Sequence, residues 1–315
     1  MVLQGSAKGV RWEPMLPKAG GMPRHQAAYA FEFKWDGMRA IASCADGRLS
    51  LVSRLGNPQE ARFPELAGLA GLGDMVLDGE IAVLRPDGSS DFGRLQSRFN
   101  LTRADAVASQ ANRHPVHFVA FDVLQLDGKD VRRLPYTRRR EILEGLELDG
   151  ANWCRTPAVE GDGDAVQSVV RKMGLEGLVA KRLDSAYRAG RSDAWVKVRN
   201  RARQEFVVGG WVEGERPGSF GGLLVGYWHG DQLRLAGCVD AGYSRDDVAV
   251  LRRVMPHLAR DSSPFGAGLR GAHFLEPGIV VEAEFNGLTR GGLLRQPSFK
   301  GIRADKAAAD VVWEQ

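Results

Sequence analysis

Turn signals divide the sequence into short apolar segments, and this spacing constrains the fold more than any other feature. Asp46-Gly47, Pro86-Asp87-Gly88 and Asp127-Gly128 each follow a stretch of apolar or alternating residues. Such sequences favour tight turns, and short apolar runs between them are typical of strands. Besides a strand that crosses Lys34, the pattern predicts strands at Ala40–Cys44, Arg48–Arg54, Met75–Leu84, Val116–Leu124, Leu178–Lys181 and Ala194–Val198. Helices are predicted at Phe63–Leu72, Thr137–Leu146 and Asp164–Met173.

The pattern changes near Asn200–Gln204. Beyond this point, short strands with glycine-rich connections surround a single predicted helix, Arg245–Leu258. The predicted strands are Glu205–Glu213, Gly222–Trp228, Gln232–Asp240 and Gly278–Asn286. This combination is typical of a small oligonucleotide-binding (OB) β-barrel. The sequence therefore predicts an α+β chain with two domains, residues 1–201 and residues 202–315.

The composition fits a soluble globular protein. The 315 residues are enough for two cores, and no apolar run is long enough to span a membrane. Met1–Gly20 contains no apolar segment of the kind found in secretory signals. Cys44, Cys154 and Cys238 form neither a zinc-site spacing nor a disulfide framework, which favours a reducing compartment. We therefore expect a monomeric cytoplasmic protein that is not bound to a membrane.

The net charge of +4 and the pI of about 9.0 weakly favour an anionic partner. The basic excess lies in residues 1–201, with 30 Lys and Arg against 25 Asp and Glu, whereas residues 202–315 carry 13 against 14. A solvated surface explains this distribution equally well, so charge alone decides nothing about the partner.

The segment Phe31–Ala40 carries the strongest chemical signal. Read at period two, aromatic side chains lie on one face of a predicted strand and charged side chains on the other: Tyr29, Phe31, Phe33 and Trp35 against Glu32, Lys34 and Asp36. A lysine amine can act as a nucleophile, although removing its proton at neutral pH costs roughly 4 kcal/mol for a pKa of about 10.4. An ordinary strand lysine paired with its neighbours is the alternative interpretation of Lys34.

Further charged or aromatic residues stand on or beside other predicted strands. These stretches are Ser53-Arg54, Asp78-Gly79-Glu80, Phe121-Asp122, Glu176-Gly177-Leu178-Val179-Ala180-Lys181 and Trp195-Val196-Lys197-Val198-Arg199. Taken singly, each has a plain explanation: Glu80 as an edge-strand carboxylate, Phe121 as a core ring, and Lys197 as part of a solvated face.

In this order and spacing, however, the stretches resemble the motifs of the covalent nucleotidyltransferase family. This family comprises ATP-dependent DNA ligases, RNA ligases and mRNA capping enzymes. Its motifs are K-x-D-G, a Ser-Arg step, D-G-E, an aromatic step, E-G-x-x-x-K and K-x-K. The last motif is Lys197-Val198-Arg199 here, so that a planar guanidinium replaces an ammonium at the second position.

The C-terminal segment Arg295–Lys306 narrows the resemblance. It is similar to the R-x-P-x-F-x-G-x-R-x-D-K sequence that closes bacterial repair ligases. Within that group the chain resembles a free-standing ligase C or the ligase domain of ligase D, over roughly Trp12 to Trp313. The resemblance implies a nucleotidyltransferase (adenylation) domain of antiparallel sheets with helices, followed by an OB-fold domain.

The resemblance also implies a mechanism. The Lys34 amine would attack the α-phosphorus of ATP and keep AMP as a phosphoramide. AMP would then pass to the 5′-phosphate at a nick in duplex DNA, and the 3′-hydroxyl would displace it. Mg²⁺ or Mn²⁺ would assist, with Glu80 and Glu176 as the carboxylates nearest the metal.

The remaining roles follow from the motif positions. The residues implied in catalysis are Lys34, Asp36, Arg39, Lys197, Arg199, Arg303 and Lys306. Those implied in binding the nucleotide are Glu32, Lys34, Arg39, Arg54, Glu80, Phe121, Glu176, Lys181, Lys197 and Arg199. Glu32 would lie at the adenine end and Phe121 would stack on the base. Arg39 and Glu80 would hold the ribose, Arg54 would reach the nick phosphate or the nucleotide, and Asp36 would orient the site.

Arg303, Asp305 and Lys306 belong to the predicted OB domain. They would act on the β- and γ-phosphates after a movement of that domain about a hinge near Asn200–Gln204. The same domain would grip duplex DNA across the minor groove by backbone contacts. The resemblance thus implies a minimal nucleoid-associated ligase that acts in DNA repair, with repair proteins as possible helpers.

Three other functions are weighed against this one. A capping guanylyltransferase shares the lysine chemistry but uses GTP, and the bacterial-type closing motif disfavours it. RNA ligases usually lack the OB domain and that motif. A catalytically silent OB module is disfavoured because Lys34, Glu80, Glu176 and Lys197 are all present. ATP is favoured over NAD because no zinc-finger cysteine cluster accompanies the motifs.

Overall fold

We describe the fold from a computed structural model, which covers residues 12–216, 218–266, 268–289 and 291–314. The first eleven residues of the Met1–Gly20 segment, for which no secretory signal was predicted, lie outside the described residues. The chain forms two compact units that meet in sequence between Asn200 and Arg201. Across the described ranges, every helix is too short or too polar to cross a membrane.

The first unit is built mainly from strands. In chain order, β1 to β11 are Met15–Ala19, Tyr29–Phe33, Met38–Ala45, Arg48–Ser53, Met75–Ala82, His117–Leu126, Lys129–Asp130, Trp153–Arg155, Ala158–Glu160, Gly177–Arg182 and Gly190–Arg199. The α-helices α1 to α4 are Phe92–Gln96, Ala104–Arg113, Tyr136–Glu144 and Gly163–Lys172. Three 3-10 segments lie at Gln26–Ala28, Glu60–Arg62 and Pro64–Leu72.

These strands form two sheets. The first sheet has the order β1-β11-β10-β2-β9, and the second has the order β4-β3-β5-β6-β7, with β8 beside β6. Neighbouring strands are antiparallel except for the β1–β11 and β6–β8 pairs. Asp46 and Gly47 both adopt positive φ, of 50° and 67°, which gives the tight β3–β4 turn that the sequence predicts.

Each sheet buries one apolar face against helices and directs part of its other face toward the opposite sheet. In the first sheet, Phe31 and Leu178 pack against Val166 and Val170 of α4. Between the sheets, Met15, Ile41, Phe121, Tyr187 and Trp195 belong to one buried cluster. Fully burying a side chain of this size contributes about 1.5–3 kcal/mol. The inter-sheet cluster therefore fixes the spacing between the two inner faces.

The first unit differs from the sequence-based prediction at several elements, among them the short strands β7, β8 and β9, for which no strand was predicted. Strand β2 ends at Phe33, so Lys34 follows the strand and is not inside it. The predicted helix at Phe63–Leu72 is a 3-10 helix over Pro64–Leu72. Strand β1 and helices α1 and α2 were not predicted, because Pro17 interrupts the strand pattern, α1 has five residues, and Val107 is the one buried residue of α2.

The second unit is also mainly antiparallel. Its strands β12 to β17 are Ala202–Glu213, Phe220–His229, Gln232–Val239, Ala259–Arg260, Ala272–Phe285 and Ser298–Ile302, and α5 is Arg245–Val254. The strand order is β14-β13-β12-β16-β15, with β17 also paired to β16. Phe206, Val225, Val281 and Phe285 lie in its core. Ser244 and Asp247 form the capping box that begins α5.

Candidate active site

Lys34 is held by the stretch Glu176–Lys181, which begins 142 residues later in the chain. Its backbone N–H donates to the carbonyl oxygen of Gly177 at 2.9 Å, and its Nζ forms an ion pair with the carboxylate of Glu176. Gly177 has φ of 152°, and a Cβ there would lie 2.2 Å from the Val198 carbonyl oxygen. Glycine is therefore needed for β10 to approach β11 closely beside Lys34.

The Lys34 side chain lines a cleft of about 770 Å³ within the first unit. Part of the cleft wall comes from a cross-strand row on the first sheet, in which Val179 of β10 stands opposite Glu32 of β2 and Lys197 of β11. Arg39 and Glu80 of the second sheet also line the cleft, and they stand opposite each other on β3 and β5. The cleft thus lies where the inner faces of the two sheets meet.

A buried charge network lies on one side of the cleft. Lys181 and Glu32 are 1% and 2% exposed, and the Lys181 Nζ lies 2.8 Å from Glu32 Oε2. Tyr136 donates its hydroxyl to Glu32 at 2.6 Å, and Lys181 donates to the Phe121 carbonyl oxygen at 2.7 Å. Burial lowers the pKa of Lys181, against the attraction of Glu32. Because both charges are desolvated and mutually bound, this pair is a fixed part of the wall.

Arg39 is fixed in the same way from the second sheet. Its guanidinium donates to both carboxylate oxygens of Asp78 at 2.6 Å and to the Met15 carbonyl oxygen at 3.0 Å. Burial opposes its charge, but Asp78 raises the pKa of Arg39 above its usual value. The Tyr187 hydroxyl also donates to Asp78. Arg39 is therefore held by groups from three separate segments of the chain.

The Phe121 ring lies directly under this guanidinium. The Arg39 Cζ is 4.2 Å from the ring centroid, and Phe121 is 7% exposed. Trp195 makes an edge contact with the same ring, with centroids 6.2 Å apart. A base that stacks on Phe121, as the sequence predicts, must therefore share the ring with Arg39.

Two carboxylates, Glu80 and Glu176, lie near Lys34. Burial raises the pKa of Glu80 to about 8, although Arg39 and Lys34 counteract this. A Cβ at position 37 would lie 2.3 Å from the Ile81 carbonyl oxygen and 2.8 Å from Glu80 Cγ. The glycine of the Lys34-Trp35-Asp36-Gly37 sequence thus leaves room for Glu80 beside the cleft.

The other predicted site residues of the first unit differ in whether they line the cleft. Lys197 and Arg54 line the cleft. Burial, with Arg199 and Lys34 nearby, lowers the pKa of Lys197. Arg199 is exposed at the end of β11 and is not among the cleft-lining residues. Asp36 is also absent from the lining, and its backbone N–H donates to the Ser90 hydroxyl at 3.1 Å.

The closing-motif residues lie in the second unit. Arg303 pairs with Glu205 at 2.5 Å and with Asp305 at 2.9 Å, and Glu282 is 3.8 Å away. Lys306 Nζ lies 3.8 Å from Glu314. These contacts are all internal to that unit, so the roles predicted for Arg303 and Lys306 remain predictions.

Several residues that shape the site were not assigned a role from the sequence. Asp78 belongs to the Asp78-Gly79-Glu80 motif without a predicted role of its own, yet it holds Arg39. Tyr136 and Tyr187 hold Glu32 and Asp78 from segments without a recognised motif. Arg191 also lines the cleft. Its position six residues before Lys197 on the same strand is the one signal that could have identified it.

Comparisons with known proteins identify the family of this chain. The model for the ATP-dependent DNA ligase domain matches residues 17–199, and the model for the ATP-dependent DNA ligase C-terminal region matches residues 216–306. The multifunctional non-homologous end joining protein LigD of Mycolicibacterium smegmatis is 38% identical over 99% of this chain. That alignment covers 41% of LigD, so the chain spans about two fifths of the length of this curated relative.

Solved structures give the same result. The ligase domain of Mycobacterium tuberculosis LigD is 35% identical, with a TM-score of 0.56 over 96% of this chain and 98% of that domain. A mycobacterial DNA ligase D complexed with ATP and MES is 36% identical, with a TM-score of 0.55 over 96% of this chain and 98% of that one. The predicted fold class, a nucleotidyltransferase domain of antiparallel sheets followed by an OB fold, is confirmed. The chain belongs to the ATP-dependent DNA ligase family.

Proposed function

We propose that this chain seals nicks in duplex DNA and that Lys34 carries AMP as the covalent intermediate. The observation that carries the proposal is the position of Lys34 on the wall of a cleft of about 770 Å³, beside Glu176 and with Lys197 and Arg39 among the lining residues. A cleft of this volume is large enough for a nucleotide. Its cations suit phosphate groups, and its amine suits attack on phosphorus.

In the proposed first step, Lys34 Nζ forms a bond to the α-phosphorus of ATP as the bond from that phosphorus to the pyrophosphate oxygen breaks. The Lys34 ammonium loses one proton to solvent before the attack, its nitrogen loses a second proton to solvent as the phosphoramide forms, and the pyrophosphate leaves with the electron pair of the broken P–O bond. Lys197 on the cleft wall compensates the charge on the leaving phosphates, and Arg199, exposed at the end of β11, adds positive charge from outside the cleft lining. Arg39 holds the sugar, and the Glu32–Lys181 pair keeps the base end of the cleft in a fixed shape.

Glu80 and Glu176 are the residues that would hold a divalent cation. Both carboxylates lie close to Lys34, and Mg²⁺ is commonly bound by one or two carboxylates together with substrate phosphates. Over the described ranges, no group of three or more His, Cys, Asp or Glu residues forms a site made by the protein alone. A cation held by these two carboxylates would neutralise phosphate charge. Engagement of Glu176 with that cation would release the Lys34 amine from its ion pair.

In the later steps, AMP passes from Lys34 to the 5′-phosphate at the nick, and the 3′-hydroxyl then displaces AMP to form the phosphodiester. We assign adenylation to residues 1–201 and DNA engagement to the OB fold of residues 202–315. Nicked duplex DNA is the proposed partner. The relatives named for non-homologous end joining support a role in the repair of DNA ends.

The amine transfer is tested by incubating the chain with ATP or GTP labelled at the α-phosphate, followed by denaturing electrophoresis. We expect a covalent label from ATP and little from GTP. Lys34→Ala should abolish the label, whereas Lys129→Ala, which alters an exposed lysine of the same unit, should retain it. Full labelling of the Lys34→Ala protein would remove Lys34 from its role. Preferential labelling by GTP would favour the capping reaction.

Sealing is tested with a duplex that carries one nick with a 5′-phosphate and a 3′-hydroxyl. The adenylated protein should convert it to a continuous strand without added ATP, because the AMP is already bound. Labelling without any sealing of DNA, together with sealing of a nick in RNA, would support the RNA ligase alternative instead.

A further inference from the structure

The cleft is lined by a second group of residues that the nucleotide roles do not use. They come from the segment that follows β4 and from the region of α1: Asn57, Gln59, Arg62, Phe92, Phe99 and Asn100. We call these six residues the Arg62 lip. It contains one cation and no carboxylate. Its chemistry therefore differs from the base end of the cleft, where each cation faces a carboxylate.

Gln59 fixes the charged member of this lip. Gln59 is 3% exposed, and its backbone N–H donates to the Leu51 carbonyl oxygen at 2.8 Å. Its side-chain Nε2 donates to the Asn57 carbonyl oxygen at 3.0 Å, and its Oε1 accepts from the Arg62 guanidinium at 3.0 Å. A buried amide that uses both of its polar atoms in this way orients Arg62 at a defined place on the cleft wall.

The backbone of Arg62 is fixed from the other side. Its carbonyl oxygen accepts a hydrogen bond of 2.6 Å from the guanidinium of Arg98, which is 1% exposed and forms an ion pair with Glu65. The two neighbouring arginines thus differ in one respect. Arg98 is neutralised by a carboxylate, whereas Arg62 contacts a neutral amide and, across residues 12–216, has no acidic partner. The Arg62 guanidinium is therefore available to an anion in the cleft.

Phe92 and Phe99 add an apolar surface to the same cleft. Their rings are in edge contact, with centroids 5.9 Å apart and an interplanar angle of 73°, and both rings line the cleft. The cleft thus offers both an apolar surface and a fixed guanidinium, and this combination fits a sugar–phosphate unit, with its sugar on the rings and its phosphate at the cation. A bare polyphosphate has no group that would use the rings.

We infer that Arg62, held by Gln59, binds a phosphate of the DNA strand at the nick. The inference rests on the proposed function and adds a DNA-binding subsite to it. The phosphate is either the terminal 5′-phosphate or a diester of the adjoining backbone, and both present the same anionic oxygens to the guanidinium. Gln59 is a positioning residue, because it acts on the DNA only through Arg62.

The test separates the DNA steps from adenylation. Pre-adenylated protein is mixed with nicked duplex, and its binding and its transfer of AMP to DNA are measured over a range of salt concentrations. Arg62→Ala should weaken binding about tenfold and reduce the salt slope by about one phosphate contact. Labelling of Lys34 by ATP should stay within about twofold of the wild-type rate. Arg113→Ala, an exposed arginine in the last turn of α2, is the matched control and should change neither.

Two further variants separate a role in binding from a role in folding. Arg62→Gln keeps a polar side chain next to Gln59 but removes the charge, so it should lose DNA affinity as Arg62→Ala does. Gln59→Met keeps the volume but frees Arg62, and it should weaken binding about threefold with an unchanged salt slope. Thermal melting of each protein identifies variants that fail to fold, and the comparison is then made on the folded ones.

Nicks with a 5′-phosphate and with a 5′-hydroxyl distinguish the two sources of phosphate. A loss confined to the 5′-phosphorylated nick identifies the terminal phosphate, and an equal loss on both identifies a backbone diester. Unchanged binding of Arg62→Gln to both nicks would overturn the inference, and so would an equal loss in labelling by ATP. Failure of the wild-type chain to label with ATP would instead contradict the proposed function.

Discussion

The charges of the first unit's cleft and those of the closing motif in the second unit are arranged differently. In the first unit, Glu32 and Lys181 are at most 2% exposed and each has a defined partner. In the second unit, the side chains of Arg303 and Asp305 are 32% and 69% exposed. Arg303 lies near three carboxylates, those of Glu205, Glu282 and Asp305, and is not paired with a single one.

This difference corresponds to two ways of using charge. A buried ion pair that loses one partner leaves an uncompensated charge at high cost, so such pairs hold a geometry in place. An exposed pair contributes little to stability and can exchange partners cheaply. The first unit thus has a pre-set wall on the cleft proposed for the nucleotide, whereas Arg303 is arranged so that it can leave one carboxylate for another anion.

The largest effect on stability is expected for the buried pair. Lys181→Met removes the ammonium and leaves the Glu32 carboxylate buried with the Tyr136 hydroxyl as a hydrogen-bond donor. We expect the free energy of unfolding to fall by about 3–5 kcal/mol, measured by chemical denaturation. Combining it with Glu32→Gln should recover part of the loss, since the uncompensated charge is then gone.

A loss below about 1 kcal/mol in the Lys181→Met protein would show that water reaches Glu32 and that the wall is not pre-set. Lys129→Met is the matched control on an exposed strand, and it should change stability by less than about 0.5 kcal/mol.

A smaller effect, of opposite sign, is expected for Glu80. In the unfolded state Glu80 loses its proton above a pKa of 4.5, whereas in the folded state burial raises its pKa to about 8. Between these two values the folded state keeps a proton that the unfolded state has lost. The free energy of unfolding therefore falls as the pH rises from 4.5 toward about 8. At pH 7 the penalty is up to roughly 3 kcal/mol, at about 1.4 kcal/mol per pH unit. Glu80→Gln should therefore raise the unfolding free energy at pH 7 and flatten its pH dependence between these values.

The same substitution should slow labelling of Lys34 by ATP, because a neutral amide is a poor ligand for a divalent cation. Increased stability with unchanged labelling would show that Glu80 is not needed for the cation. Decreased stability at pH 7 would show instead that its carboxylate is ionised and paired in the folded state.

The sequence was most informative where a residue type is required by chemistry or by backbone geometry. Lys34 and Glu176 could be assigned to one site because their motifs name the reactive groups, whereas the close approach at Gly177 was found only in the structure. The turn at Asp46-Gly47 was predictable for the same reason, since positive φ restricts the choice of residue.

The supporting residues could not be found in this way. Tyr136 and Tyr187 reach the site through hydrogen bonds that span 104 and 109 residues, and a tyrosine is equally common in any core. The orientation of Arg62 depends on Gln59, three residues earlier in a 3-10 turn that carries no apolar period. Such residues depend on tertiary contacts, which a local pattern does not encode.

The smallest effect on stability is expected in the closing motif. Arg303→Ala removes an exposed guanidinium that contacts Glu205 and Asp305, so the melting temperature should change by no more than a few degrees. If Arg303 serves the phosphates of ATP, labelling of Lys34 should nevertheless fall at least tenfold. Sealing of nicks that already carry AMP should fall much less, because those phosphates have left by then. Lys306→Ala should follow the same pattern.

Arg234→Ala is the matched control, because Arg234 is an exposed arginine of the same unit on β14. Equal losses in labelling and in sealing by the Arg303→Ala protein would show that this arginine serves DNA binding or folding and not the ATP step. A large drop in melting temperature would remove the contrast between the two units, since the carboxylates around Arg303 would then depend on it as Glu32 depends on Lys181. A selective loss of labelling in a protein of normal stability would show that an exposed arginine works by exchanging partners.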